Sequence, residues 1–216
     1  MVFLNLIYPP LCIHCEQTLE KKRSLLCATC LELLISLTNE GRCLTCFAEL
    51  EGRCERCRKR SVVIRRQAAV CQSIGPAQTL ISRLEKGELG LVQHIASLML
   101  LQWTTLGWPV PDFIVPLPIP WWNRCQLGGD IHAFLARQLA QALNVPVFTL
   151  LKCEWTLSGL LNGDRSIKLR AGKKLDLIEK TGLLISLRLH DGQFRAAGEA
   201  MLEGFPSCLT ALAFAL

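Results

Sequence analysis

Eight of the twelve cysteines fall in the first 57 residues, as four Cys-x-x-Cys pairs: Cys12/Cys15, Cys27/Cys30, Cys43/Cys46 and Cys54/Cys57. A two-residue spacer lets one tight turn aim two thiolates at a single ion. Two such pairs complete a tetrahedral site of four sulfurs, the donor set of structural zinc. Eight ligands therefore imply two zinc sites. First pair with second and third with fourth is the simplest arrangement; interleaving is the alternative. So short a segment has little core of its own, and metal would supply much of its folding free energy. His14 lies between two ligands and reads as a bystander.

Disulfides are the competing reading, and they need an oxidising compartment. The segment Met1 to Pro10 has no basic n-region, and its apolar run is too short for a signal peptide. The expectation is a cytoplasmic protein with reduced thiols. A redox Cys-x-x-Cys would be one pair on a βαβ scaffold, not four in tandem. Cys71, Cys125, Cys153 and Cys208 are scattered among apolar residues and read as ordinary buried cysteines.

The chain has 216 residues, half of them hydrophobic, which suits a real core and excludes a disordered chain. The stretch from Leu89 to Trp108 is apolar, but Gln93, His94 and Gln102 interrupt it and Pro109 closes it. It reads as a buried helix, not a membrane span. The chain divides near residue 65: residues 1–62 form a double zinc ribbon and residues 63–216 a second domain. After the boundary, strand and helix signals alternate. Helices are expected at Leu89 to Leu106, Ile131 to Leu143 and Arg195 to Leu202. Strands are expected at Phe113 to Val115, Val145 to Leu151, Leu183 to Ile185 and Cys208 to Leu216. Alternation of this kind implies an α/β fold with a parallel sheet and flanking helices.

The net charge of +6 permits an anionic partner without demanding one. The cations concentrate around the last cysteine pair, at Arg53, Arg56, Arg58, Lys59, Arg60, Arg65 and Arg66, with Glu55 opposing. Such a cluster beside a zinc ribbon is a candidate contact for nucleic-acid phosphates. A solvated, solubilising surface run is an equal reading, because no aromatics interleave it as stacking platforms.

The whole chain resembles the ComF family of bacterial proteins, in which a double zinc ribbon precedes a type I phosphoribosyltransferase domain. The resemblance begins with the apolar leader and Pro9-Pro10 before the first cysteine pair, and runs through all four pairs. Leu84-Glu85-Lys86-Gly87 resembles the family's Leu-Lys-Tyr segment. Val115-Pro116-Leu117-Pro118 resembles its Val-Pro-Val-Pro strand end. Leu157-Ser158-Gly159-Leu160 with Arg165 resembles its Gln-Ser-Gly-Leu stretch, and Leu183 to Ala213 its closing strand, loop, helix and strand. The resemblance implies a phosphoribosyltransferase-like fold, a link to DNA uptake in competence, and single-stranded DNA or competence-machinery proteins as partners.

In the family, two adjacent acids at a strand end hold the ribose of phosphoribosyl pyrophosphate. A Thr-Thr-Gly-x-Thr loop then cradles the 5′-phosphate at a helix N-terminus, with magnesium on the pyrophosphate. Aligned without gaps, the acids fall on Ser186 and Leu187, and the loop on His190, Asp191, Gly192, Gln193 and Phe194. Only Gly192 matches. Leucine cannot hydrogen-bond a ribose, and Asp191 puts a negative charge where a phosphate would sit. Leu127-Gly128-Gly129-Asp130-Ile131 stands where the family has Arg-Gly-Phe-Asn-Gln. The expectation is a phosphoribosyltransferase-like scaffold with a degenerate site, acting by binding nucleic acid or a partner; magnesium belongs only to an active site. Two alternatives are an active transferase with altered loop residues and a structural zinc adaptor. His190-Asp191 reads as a solvated loop. His94 and His132 read as partly buried helix residues. Trp103, Trp108 and Trp155 read as core or interface, and Trp121-Trp122 as packing over the domain edge. No P-loop and no Ser/His/Asp constellation is present.

Overall fold

A computed structural model of the chain describes residues 9–20, 24–34, 36–50, 52–58, 64–119, 124–125, 128–154, 168–171, 181–188 and 208–216, with positions 197, 199 and 201. In chain order the elements are α1 (Ala28–Glu32), α2 (Glu55–Arg58), β1 (Arg66–Cys71), α3 (Gly75–Leu84), a 3-10 turn (Leu89–Leu91), α4 (Val92–Thr105), β2 (Phe113–Pro116), α5 (Ile131–Leu143), β3 (Leu151–Glu154), β4 (Lys168–Ala171), β5 (Thr181–Arg188) and β6 (Cys208–Ala215). The fold is mixed α/β.

Four strands form an all-parallel sheet in the order β1-β6-β5-β2. Parallel strands covered on both faces read as continuous apolar runs, and β5 is buried from Gly182 to Leu187. Side chains alternate between faces with a period of two. Leu183, Ile185, Leu187, Leu212 and Phe214 belong to a core that includes Leu84 of α3, Ile95 and Met99 of α4, and Leu135 and Leu139 of α5. Phe113, Val115, Leu184, Ala211 and Ala213 form the opposite core with Leu150, Ala197 and Met201.

Helix α5 begins and ends where local chemistry dictates. Asp130 caps it, its carboxylate accepting the Ala133 N–H at 3.0 Å. Asn144 ends it in the left-handed conformation at φ 55°. The expected strand at Val145 to Leu151 divides instead. Residues 146–148 add one parallel bridge to β2, Ile114 to Val147. From Leu151 the chain turns into β3, which pairs antiparallel with β4 in a separate ribbon. Of the expected helix at Arg195 to Leu202, positions 197, 199 and 201 are helical and the others lie outside the described residues.

No helix among the described residues is long and apolar enough to cross a membrane. Gln102, which interrupts the apolar run, lies buried in α4 and donates to the carbonyls of Leu37 at 2.6 Å and Ala69 at 3.3 Å. Trp103 and Trp108 pack edge to face with centroids 5.3 Å apart. Cys71 is a buried structural thiol, as expected. Burial pushes it up to about 12, and its Sγ donates to the Phe214 carbonyl at 3.3 Å. Cys125 corrects the expectation of burial: it is exposed, in the connection between β2 and α5. Residues 124 and 125 are helical, and neighbours along a helix point to different faces, so apolar residues nearby in sequence did not imply a buried thiol there. The side chains of Cys153 and Cys208, and Trp121, Trp122 and Trp155, lie outside the described residues.

At Gly182 the fold needs a missing side chain. A Cβ there would meet the Phe113 ring at 2.7 Å and Leu209 at 3.0 Å. The contacts are with a packed ring and a core leucine, neither free to move. Gly182→Ala should destabilise the protein by about 1–3 kcal/mol, read as a lowered urea midpoint with an unchanged slope.

Candidate metal centres and the strand-end crevice

The eight cysteines assemble as two quartets: Cys12, Cys15, Cys27 and Cys30, then Cys43, Cys46, Cys54 and Cys57. Within each quartet all four sulfurs lie within 4.8 Å of one another. First pair joins second, and third joins fourth; interleaving is ruled out. The sulfur–sulfur separations are 3.6 Å for Cys15–Cys27, 3.7 Å for Cys43–Cys57 and 3.5 Å for Cys46–Cys54. Four sulfurs each about 2.3 Å from a tetrahedral ion stand about 3.8 Å apart. The observed spacing fits an ion at the centre of each quartet and is far too long for disulfides.

The two centres repeat one design. Each first pair sits in a knuckle closed by an antiparallel bridge, Leu11–Thr18 in one and Arg42–Glu49 in the other. Each knuckle is tightened by equivalent backbone bonds, Cys12 N–H to Gln17 O and Cys43 N–H to Ala48 O. Each places a non-glycine residue in the left-handed region, Glu16 at φ 61° and Phe47 at φ 59°. That conformation costs about 1 kcal/mol or more, and the surrounding structure must hold it. At Phe47 the hold is visible. The ring is buried, and Arg42 stacks over it at 5.2 Å while donating to its carbonyl at 3.1 Å. Each second pair opens a one-turn helix. Cys27 caps α1, its Sγ accepting the Cys30 N–H at 3.4 Å.

Backbone donors already favour charge on one sulfur of each quartet. Burial opposes ionisation of Cys12, yet the backbone of Cys15, Cys27 and His14 outweighs it and brings the thiol down to about 6. The backbone of Cys57 is the main cause that lowers Cys54 to about 7. Cys30 and Cys57 are pushed well up, by burial first and then by the neighbouring thiols. Proximity that resists further ionisation is what a divalent cation reverses, since it needs all four as thiolates. His14 is no ligand; its Nδ1 lies 2.8 Å from the Thr79 hydroxyl on α3.

The quartets differ in depth. Cys12 and Cys30 are 1% and 3% exposed and belong to the main sheet core, together with Leu19, Leu26, Leu34 and Leu37. The second centre reaches that core through Phe47, while Cys46, Cys54 and Cys57 are half-buried.

The second candidate region lies at the carboxyl ends of the strands. From β2 the chain passes through α5 to residues 146–148 on one side. From β5 it passes to β6 on the other. Connections that leave in opposite directions open a crevice between β2 and β5, the place where parallel sheets bind ligands. Ser186 and Leu187 stand at this end of β5. Both are buried, at 2% and 4% exposure. The Ser186 hydroxyl donates to the Arg188 carbonyl at 2.9 Å. Arg188 itself turns away, to Glu85 at 3.1 Å and Ser73 at 3.1 Å. His132 is half-buried in α5, as expected, with Nδ1 2.7 Å from the Leu117 carbonyl; His94 corrects the expectation of partial burial, since it lies with Gln93 on the exposed side of α4. His190, Asp191, Gly192, Gln193 and Phe194 lie outside the described residues.

Arg53, Arg56, Arg58, Arg65 and Arg66 are exposed, while Lys59 and Arg60 lie outside the described residues. Arg58 pairs with Glu55 at 2.9 Å, an exposed contact of little energetic weight. Arg65 and Arg66 stand at the start of β1, so they occupy the opposite end of the sheet from the crevice. The repeat of the knuckles and the helix-capping role of Cys27 were missed in sequence; the bridged pairs, Leu11 with Thr18 and Arg42 with Glu49, share a seven-residue separation but no residue type that would signal them.

No protein-family model matches this chain, and no curated protein does.

Because Cys30 is shared between a metal centre and the core, Cys30→Ser should lose several kcal/mol of the main unfolding transition. Cys57→Ser should empty its own centre at about 1 kcal/mol or less in that transition. Paired urea titrations with metal analysis check both; equal midpoints for the two variants would contradict the difference in depth.

Proposed function

We propose that this is a two-zinc protein of the ComF type, in which a double zinc ribbon and its basic flank bind nucleic acid and a phosphoribosyltransferase-like domain serves as scaffold. The observation that carries the reading is a contrast. Both cysteine quartets are complete and correctly spaced for metal, while the two crevice positions that would hold a ribose are a buried leucine and a serine already bonded within its own strand. Zinc is the ion because four thiolates in tetrahedral spacing are its structural donor set. The ion would be held by Cys12, Cys15, Cys27 and Cys30 in one centre and by Cys43, Cys46, Cys54 and Cys57 in the other. Its contribution is structural, since four protein sulfurs leave no open position for a substrate.

The crevice has the location of a nucleotide site without its chemistry. Asp130 occupies the N-terminus of α5 with its own carboxylate, which disfavours a second anion there. Magnesium has no carboxylate pair at 186 and 187 to work with. The basic run offers the alternative. Arg53, Arg56, Arg65 and Arg66 present cations next to the second centre and at the amino end of the sheet. Phosphates are bound there without sequence preference by charge neutralisation. Single-stranded DNA is the proposed ligand and DNA uptake in competence the proposed setting, with uptake-machinery proteins as further partners and the cytoplasm as the compartment.

Two titrations test this. Calorimetry with phosphoribosyl pyrophosphate and Mg²⁺ should show no binding at micromolar levels; clear micromolar binding would restore the transferase reading. Fluorescence anisotropy with labelled single-stranded DNA should show affinity that falls steeply with salt. Reversing Arg53 and Arg56 to Glu should flatten the log–log slope by about 0.7 per lost contact. Unchanged affinity after charge reversal would reject the basic flank as the contact, and no binding at all would favour the adaptor.

A further inference from the structure

β1 is an edge strand of the sheet. An open edge presents unpaired N–H and C=O groups and invites pairing with other chains. Here it is covered by the segment that joins the two metal centres. Ser36 forms an antiparallel bridge with Cys71, and the Leu37 N–H donates to the Val70 carbonyl at 2.9 Å. Gln102 fastens the same segment from α4, donating to the Leu37 carbonyl at 2.6 Å. Leu34 and Leu37 are buried in the main core. Ser36 lies six residues after the ligand Cys30, and Leu37 lies six residues before the ligand Cys43. The strap is therefore pinned at both ends by sulfur quartets, and among the described residues its backbone bonds to the sheet are few.

We propose that the two metal centres together latch residues 36–37 onto the open edge of β1, so that metal occupancy controls whether this edge is covered. With both ions bound, the strap is a short loop with fixed ends, and docking it costs little further entropy. With either ion lost, one end is released and the same few hydrogen bonds must hold a longer free chain. The latch thus transmits the metal state of the ribbon to the edge of the sheet domain. It rests on the metal reading above, and metal content is measured separately so that the two fail separately.

The test is amide hydrogen exchange on the full chain, metal-loaded and after removal of metal with a chelator, with zinc content read by atomic absorption. The expected result is at least a tenfold faster exchange at the Leu37 amide in the stripped protein, with the Leu183 to Ile185 amides of β5 still protected. Cys57→Ser, which breaks one centre only, should give the same local change. Gln102→Ala should speed Leu37 exchange while both metal equivalents are retained. Unchanged protection of Leu37 after the metal is gone would overturn the latch. Equal loss of protection across β5 would also overturn it, because metal would then hold the fold as a whole. A preparation that never held metal and still protects Leu37 would overturn both the latch and the metal reading.

Discussion

Four sulfur atoms held within 4.8 Å of one another set the terms for the first third of this molecule. As thiolates they repel, each pair by about 4 kcal/mol at an effective dielectric near 20. As thiols they lack strong partners. A divalent cation at the centre turns the repulsion into ligation and adds to the bridges and backbone bonds that close each knuckle. The knuckles carry non-glycine residues in the left-handed region, Glu16 and Phe47. At Phe47 that geometry is held by the buried ring and by Arg42, which donates to its carbonyl. The constraint then passes inward. Cys12 and Cys30 are part of the same apolar core as Ile95, Met99 and Leu212, so the ribbon and the sheet are built as one packed unit.

The sheet has two ends with different chemistry. At the carboxyl ends of β2 and β5 the topology opens a crevice, and among the described residues the polar groups near it are bonded within the chain. Ser186 bonds to the Arg188 carbonyl, Arg188 to Glu85 and Ser73, and His132 to the Leu117 carbonyl. At the amino end of β1, Arg65 and Arg66 follow the second metal centre with exposed side chains. Among the described residues, exposed cations gather at the amino end of β1, whereas Ser186 and Leu187 at the carboxyl end of β5 are buried. This division is the basis on which binding is proposed for the ribbon side of the molecule.

Much of this was legible from the chain alone, for reasons that differ by element. The cysteine pairs were decisive because metal geometry permits few spacings. Helix α5 showed its extent, Ile131 to Leu143, through its apolar period; its caps, Asp130 and Asn144, emerged only in the structure. The core of β5 showed as Leu183 to Ile185. What was missed had weak local signals. β1 begins Arg66-Gln67-Ala68-Ala69, which has little strand propensity and becomes a strand through pairing with β6. α3 begins with Gly75-Pro76, and its N-cap, Ile74, offers no side-chain cap, so its start lacked the usual signal. The division of residues 145–154 between the sheet edge and a separate ribbon depends on which neighbours are available, and no periodicity encodes that. The strap at 36–37 is likewise a tertiary fact. Its bonds to Val70 and Gln102 cross more than thirty residues of chain.

The account depends most on two closed sulfur centres, and X-ray absorption at the zinc edge of the purified full-length protein reads them directly. It predicts two zinc ions per chain, each with four sulfur neighbours at about 2.3 Å and no nitrogen or oxygen in the first shell. Fewer than two ions, or a first shell that includes light atoms, would contradict it.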